Sequence, residues 1–284
     1  MTIPNKSLFD DYQKYERILK KYDGSGIMDI SNEEFIAPTT LTPLLSYLWR
    51  NNIENIKLNE KTYPYVSKII HREPTPTNTP YRVLPKTKQL INGESLSSEI
   101  SMKINEEYAG HQTLNFIVNE LTNNIYDHTP FEQNYASYGY CYAQEYPIWK
   151  KVDICVYDDG LSIPGKLEQS NVAIENDCHA IEKVISGFTT VHDRDRGNGL
   201  GNCLKMMNNN NGSALIVSRQ AALEIDTKRN KYKYHYLDNE DYFKGTLITI
   251  KLRNNPVNFY ETLGTGSIET TPYIYEGEKT CKIQ

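Results

Sequence analysis

The spacing of apolar residues changes along this 284-residue chain, and the change constrains its fold class more than any other feature. Between positions 114 and 125 the apolar residues repeat at the i, i+3, i+4, i+7 spacing of one buried helix face. They are Leu114, Ile117, Val118, Leu121 and Ile125. Residues 152–157 instead alternate apolar and other side chains, as on a half-buried strand. The sequence therefore predicts an α+β fold with helices on one face of a sheet, a two-layer α/β sandwich.

The first part of the chain predicts a smaller unit. Residues 1–24 have the apolar spacing of a short amphipathic helix, and residues 27–30, 40–50, 53–58 and 61–70 then alternate strand and helix patterns. This β-α-β-α order predicts a small α/β unit, which loosely resembles a STAS-type regulatory module. Further along, we expect helices at 173–186 and 200–207 and strands at 138–143, 213–218 and 246–252.

A proline-rich stretch separates the two parts. Prolines at positions 74, 76, 80 and 85 are incompatible with a continuous helix or a central strand. We therefore predict a small α/β unit over residues 1–72, a linker over 73–96, a second, larger domain over 97–253 and a tail over 254–284.

Composition excludes several classes of protein. The net charge is −5 and no extended Lys/Arg run is present, so a nucleic-acid partner is not expected. No segment approaches the about 18 consecutive apolar residues that a membrane helix needs, so no membrane partner is expected. The five cysteines form no C-x-x-C pair, which predicts neither a zinc site nor a disulfide framework. A cytoplasmic location fits best.

A polar row borders the apolar stripe in residues 119–128. Glu120, Asn124 and His128 are each one turn apart, so they lie along one side of the predicted helix. Taken alone, such a row is more often the solvated flank of an amphipathic helix. It also fits the wall of a cavity under neighbouring strands.

Two glycine-containing segments follow. Residues 156–164 place Asp158 at a strand end before Gly160, a pattern that is common in ordinary turns but also able to present a carboxylate to a ligand. Residues 197–201 contain three glycines directly before an apolar helical run, which exposes N–H groups at a helix N-terminus, a favourable place for phosphate. Their G-x-G-x-G spacing fits neither a dinucleotide fold nor a P-loop.

Together and in this order, these segments resemble the GHKL (Bergerat) family of ATP-binding domains, which includes gyrase, histidine kinases and MutL. Residues 120–124 resemble its N box, residues 158–164 its first glycine box and residues 196–201 its second. Gly245 and Thr246 resemble the late Gly-Thr element, so that the likeness covers roughly residues 105–253. Ser162 departs from the pattern, because the family's first box usually has its second glycine there.

The resemblance implies a site for ATP and Mg²⁺. Asn124 would ligate magnesium, Glu120 would be the catalytic residue that orients and deprotonates a nucleophile, Asp158 would select adenine, and residues 165–195 would form the ATP lid. The expected nucleotide-binding residues are Asn124, Asp158, Gly160, Ser162, Ile163, Gly197, Gly199, Leu200, Gly201 and Thr246.

Two activities remain open. The first is a stand-alone regulatory ATPase or protein kinase that resembles the anti-sigma-factor type and acts on a protein partner. The second is a non-catalytic, nucleotide-gated interaction module. A gyrase-like machine would need a further transducer domain, and a sensor histidine kinase would need a phosphoacceptor histidine on a long dimerising hairpin. The partners we expect are ATP and an unidentified protein, and a homodimer is compatible with either activity.

Overall fold

The structure is a computed structural model that describes residues 6–71, 73, 100, 107–128, 133–188, 198–237 and 242–264, and the backbone of 81–83. In chain order its helices and strands are α1 (Leu8–Lys21), β1 (Ile27–Ile30), α2 (Pro38–Arg50), β2 (Asn55–Leu58), α3 (Tyr63–Ile70), β3 (Tyr81–Val83), α4 (His111–His128), β4 (Gly139–Tyr146), β5 (Lys151–Asp158), α5 (Ile163–Gln169), α6 (Asp177–Ile185), α7 (Gly199–Asn209), β6 (Ser213–Arg219), β7 (Ala221–Asp226), β8 (Lys231–Tyr236), β9 (Phe243–Arg253) and α8 (Phe259–Gly264).

Seven strands form one sheet in the order β3-β4-β5-β9-β6-β7-β8, and each neighbouring pair is antiparallel. A separate parallel pair joins β1 and β2, which α2 connects. The predicted α+β class is therefore confirmed. The strand and helix patterns predicted for residues 27–70 all appear, with ends that differ by about two residues.

The apolar stripe of α4 packs on the first face of the sheet. Its five predicted members are each at most 4% exposed, and they share a core with α6, α7 and the side chains of Val152, Ile154 and Val156. The alternation in β5 thus places its apolar residues under the helices, as the sequence predicts.

The second face of the sheet is also covered, which the sequence did not predict. Tyr12 of α1 packs edge-on against Phe243 of β9, with ring centroids 5.6 Å apart. Thr39 at the start of α2 shares a buried hydrogen bond of 3.0 Å with Thr249. Residues 1–72 therefore do not stand apart from the sheet, because α1 and α2 add a third layer to the two-layer sandwich.

Three boundaries also differ from the prediction. Within the predicted linker, Tyr81–Val83 forms edge strand β3, a position where nearby prolines are tolerated. Within the predicted tail, Phe259–Gly264 forms α8, and residues 265–284 lie outside the described residues. The helix predicted at 173–186 is shorter, because it forms only over Asp177–Ile185. A separate helix, α5, precedes it. Ser162 caps α5, and Pro164 lies in the first turn of α5, where proline is favourable.

The shared core predicts cooperative unfolding of the N-terminal layer with the sheet. Tyr12 is 1% exposed, so Tyr12→Ala should remove about 3–5 kcal/mol from the free energy of unfolding. Tyr63→Ala, at a site 61% exposed, is the control and should change it by less than about 0.5 kcal/mol. Urea denaturation followed by fluorescence and circular dichroism should give one coincident transition. Two separate transitions, with Tyr12→Ala affecting only the first, would contradict this arrangement.

Candidate functional site

A cavity of about 350 Å³ lies between α4, α5, α7 and the ends of β5 and β9 that carry Asp158 and Thr246. The predicted site residues that line it are Glu120, Asn124, Asp158, Ser162, Ile163, Gly199, Leu200 and Thr246. Gly160 and Gly201 lie outside its lining. Gly197 and residues 189–195 of the predicted lid lie outside the described residues. The structure thus brings most of the predicted site together in one place.

Helix α4 supplies the polar wall. Glu120, Asn124 and His128 all line the cavity, as expected for residues that repeat every four positions on one side of a helix. The apolar stripe beside them is buried in the core, so α4 is anchored and its polar row is held against the cavity. The polar row therefore lines a cavity, and its side chains are half-buried.

Asp158 lies at the end of β5 and is 5% exposed. Its Oδ1 accepts a 2.9 Å hydrogen bond from the backbone N–H of Gly160, a residue that does not itself line the cavity. Across the sheet Asp158 is opposite Thr246. Gly245 has a φ of 85°, and a Cβ there would overlap the backbone carbonyl of Asp158, so only glycine allows the two strands to meet this closely.

The neighbouring carboxylate has a different role. Asp159 is fully buried, and its Oδ1 accepts two 2.8 Å hydrogen bonds from the backbone N–H groups of Ser137 and Tyr138. Its Oδ2 lies 4.0 Å from Nε of Arg50 on α2. Asp159 therefore fixes the start of β4 and contacts the N-terminal layer, whereas Asp158 faces the cavity.

Ser162 has φ 71° and ψ 162°, a region that is almost restricted to glycine. Its hydroxyl nevertheless caps α5 by accepting a 3.2 Å hydrogen bond from the N–H of Gly165. The N–H of the next residue, Ile163, donates to Oγ of Ser218 at 2.9 Å. These contacts hold the residue in an unfavourable backbone conformation at the cavity wall.

The second glycine segment opens α7 beside Glu120. A Cβ on Gly199 would overlap the carboxylate of Glu120, so this glycine lets the helix N-terminus approach α4. Gly201 is buried against the side chain of Asn198 and the carbonyl of Ile185, and it serves packing rather than the cavity surface.

Several lining residues were not singled out from the sequence, although Lys166 and Leu167 lie in the predicted lid and Asn198 lies in the second glycine segment. Val156, Leu167 and Ile248 make part of the wall apolar, and Phe116, Asn198, Asn202 and Lys166 add to the rest. The apolar members belong to β5, β9 and α5, where the sequence indicates only core positions. Lys166 could have been found from its position one turn after the Ser162 cap, had α5 been recognised.

Among the residues that the structure describes, the charges around the cavity are mostly acidic. Glu120, Asp127 and Asp158 line it together with Lys166. Burial lowers the pKa of His128 below its usual value, Asp127 partly opposes this shift, and Lys166 adds to it. His128 is therefore neutral at pH 7.

Among the described residues, no group of three or more His, Cys, Asp or Glu side chains is placed to hold a metal ion. The predicted magnesium site does not need such a group, because magnesium is commonly held by one or two protein oxygens plus phosphate and water. The four cysteines in the described part of the chain are buried. None of the helices that the structure describes is long and apolar enough to cross a membrane.

Comparison of the chain with protein-family models, with curated proteins and with solved structures finds no match.

The conformation of Ser162 generates a stability prediction. Ser162→Gly relieves an unfavourable φ that costs about 1–3 kcal/mol. It weakens the helix cap by only a few tenths of a kcal/mol. It also adds a small entropic cost, because glycine loses more backbone freedom on folding. The free energy of unfolding should rise by about 1 kcal/mol in urea denaturation. Ser170→Gly, at an exposed position with φ −88°, is the control and should not raise it. A loss of stability in Ser162→Gly would show that the serine contacts outweigh the strain.

The lowered pKa of His128 predicts a pH dependence. Near and below about pH 6.5, His128 takes up a proton more readily in the unfolded chain than in the folded one. The free energy of unfolding therefore decreases as the pH falls through that value. His128→Asn should therefore lose less stability than the wild type between pH 7.5 and 5.5, measured by urea denaturation at both values. His71→Asn, at an exposed position, should behave like the wild type. Equal pH dependence in all three proteins would contradict burial as the cause.

Proposed function

We propose that this chain binds ATP with magnesium in the cavity beside α4, and that it is a regulatory protein of the GHKL (Bergerat) type. The observation that carries the proposal is convergence: motifs that are far apart in the sequence line one cavity of about 350 Å³. This volume lies in the usual range for ligand pockets, and the wall combines apolar side chains with polar and charged ones.

The Asp158 end of the cavity fits adenine better than guanine. Asp158 and Thr246 lie opposite each other, with apolar Val156 and Ile248 on the same two strands. An ionised carboxylate only accepts hydrogen bonds, and adenine presents an exocyclic amine where guanine presents a carbonyl oxygen. Asp158 therefore favours ATP over GTP.

The α7 end fits the phosphates. The N-terminus of α7 opens at Gly199, where backbone N–H groups favour an anion. The side-chain oxygen of Asn124 would hold the magnesium ion, which when bound neutralises phosphate charge. Because the described part of the lining is mainly acidic, a metal-bound triphosphate suits it better than a bare one.

Glu120 is the candidate general base. It lies one helical turn before Asn124 on the same wall, and its carboxylate packs against Gly199 at the start of α7. From this position it would orient a water molecule or a protein hydroxyl and accept its proton. The activity we infer is slow ATP hydrolysis or phosphorylation of a partner protein, in the cytoplasm.

One observation also favours a second function, a nucleotide-gated interaction module. Asp159 follows Asp158 directly and lies 4.0 Å from Arg50 of α2. A shift of the backbone at Asp158 would therefore be transmitted through Asp159 and Arg50 to the N-terminal layer. This layer resembles a STAS-type unit in the order of its strands and helices. In that case nucleotide binding alone would alter contact with a partner protein.

Nucleotide selectivity tests the binding site. Mg-ATP should raise the melting temperature of the wild type, and Mg-GTP should raise it much less. Asp158→Asn should weaken ATP binding tenfold to over a hundredfold, the scale of about 1.5–3 kcal/mol for a charge-assisted hydrogen bond. Asp29→Asn, at an exposed position of β1, is the matched control and should bind like the wild type. Equal shifts with both nucleotides would remove the adenine role of Asp158.

Glu120→Ala separates the two functions. The variant should keep Mg-ATP affinity within about threefold and lose phosphate release and transfer, because Glu120 acts on the nucleophile rather than on the nucleotide. Equal phosphate release by the variant and the wild type, without transfer to any protein, would exclude the enzyme and leave the interaction module.

A further inference from the structure

A second cavity, of about 480 Å³, lies on the opposite face of the sheet. Its floor is formed by the start of β5, the end of β9 and parts of β4, β6 and β7. Its roof is formed by the first turns of α1 and by residues 33–37. It is separate from the cavity beside α4, with which it shares no lining residue.

The floor of this cavity is polar although most of the same sheet face is apolar core. In the register of the sheet, Asp153 of β5 is opposite Lys251 of β9, and Lys251 is opposite Ser213 of β6. Farther along the same strands, the side chains on this face include Tyr157, Leu247 and Val217, which belong to the apolar core. The change from apolar to charged residues coincides with the cavity.

Two groups in the wall lack partners although they are buried. Asp153 is 1% exposed and its Oδ1 has no hydrogen-bond partner, and Tyr146 is 5% exposed and its hydroxyl has none. An unsatisfied buried carboxylate oxygen or hydroxyl is costly, and folded proteins rarely leave one without a reason. A ligand that donates hydrogen bonds would satisfy both.

The charges that surround these groups have both signs. Asp11 on α1 is buried, and burial raises its pKa to about 6. Lys251 is 8% exposed beside Asp153. Lys151 lies 4.4 Å from the centre of the Tyr146 ring. A multiply charged anion would be repelled by Asp11 and Asp153, and a simple cation would be repelled by the two lysines.

Several other charged residues in the lining already have protein partners. Lys14 forms a 3.1 Å ion pair with Glu33 and donates to the carbonyl of Phe35 at 2.8 Å. Arg229 lies 3.7 Å from Asp226. The groups available at the floor are therefore the carboxylate of Asp153 and the ammonium of Lys251. Their two strands are paired and lie about 5 Å apart.

We propose that this second cavity binds an α-amino acid. Its ammonium group would donate to Asp153 and to the hydroxyl of Tyr146, and its carboxylate would contact Lys251 and Lys151. The opposite charges of the ligand thus match the opposite charges on the paired strands. The side chain of the amino acid would occupy the space toward Leu8 and Phe35 in the roof. The proposal does not depend on nucleotide binding at the other cavity.

Calorimetric titration of the full chain with each proteinogenic amino acid in turn tests the proposal. At least one should bind saturably, while inorganic phosphate and the diamine putrescine should not compete with it. If none binds, or if phosphate or putrescine binds at this cavity instead, the proposal is wrong.

Two variants locate the binding. Asp153→Asn should weaken it by tenfold or more. Tyr146→Phe should weaken it about threefold to tenfold without loss of stability in the absence of ligand, because this hydroxyl has no protein partner to lose. Asp23→Asn, at an exposed site, and Asp158→Asn, in the other cavity, should both bind the amino acid like the wild type. Unchanged affinity in Tyr146→Phe and in Asp153→Asn would overturn the proposal whatever the outcome for ATP.

Discussion

The antiparallel pairing of β5 with β9 is the constraint on which both cavities depend. Its register places Asp158 opposite Thr246 at one end and Asp153 opposite Lys251 toward the other. Asp153 and Asp158 are separated by an odd number of positions, so their side chains point to opposite faces of the sheet. A slip of one residue would exchange the faces of every side chain on the strand. Gly245 protects this register, since only glycine fits against the carbonyl of Asp158.

The same strand end also explains how two consecutive carboxylates take different roles. Asp158 continues the strand and faces the helices of the first layer, whereas Asp159 leaves it and is fixed by two backbone N–H groups and by Arg50. The cavity beside α4 and the N-terminal layer are thereby joined through one peptide unit. This link is short, as the proposed nucleotide-gated interaction module would require.

The sequence predicted the local parts of this structure because local periodicity carries them. The stripe from Leu114 to Ile125 and the alternation in β5 each specify one buried face, and the elements formed there. It did not predict the third layer, since the alternation of Asp153, Cys155 and Tyr157 is typical of a face turned to water. Lys166 was not singled out within the predicted lid for a related reason: α5 begins at Ile163, directly after an unusually strained serine, and no apolar period reveals so short a helix.

The polar part of the second face is where local pattern and tertiary structure disagree most. An Asp–Lys pair taken from water generally stabilises a protein less than well-packed apolar residues of similar size would. The rest of this face shows that such packing is available to the fold, because Tyr157, Leu247 and Val217 occupy it. Stability alone therefore does not account for Asp153 and Lys251 beneath α1, or for Asp11 on α1 itself. Their presence is explained if the strands that support one binding cavity on their first face support another on their second.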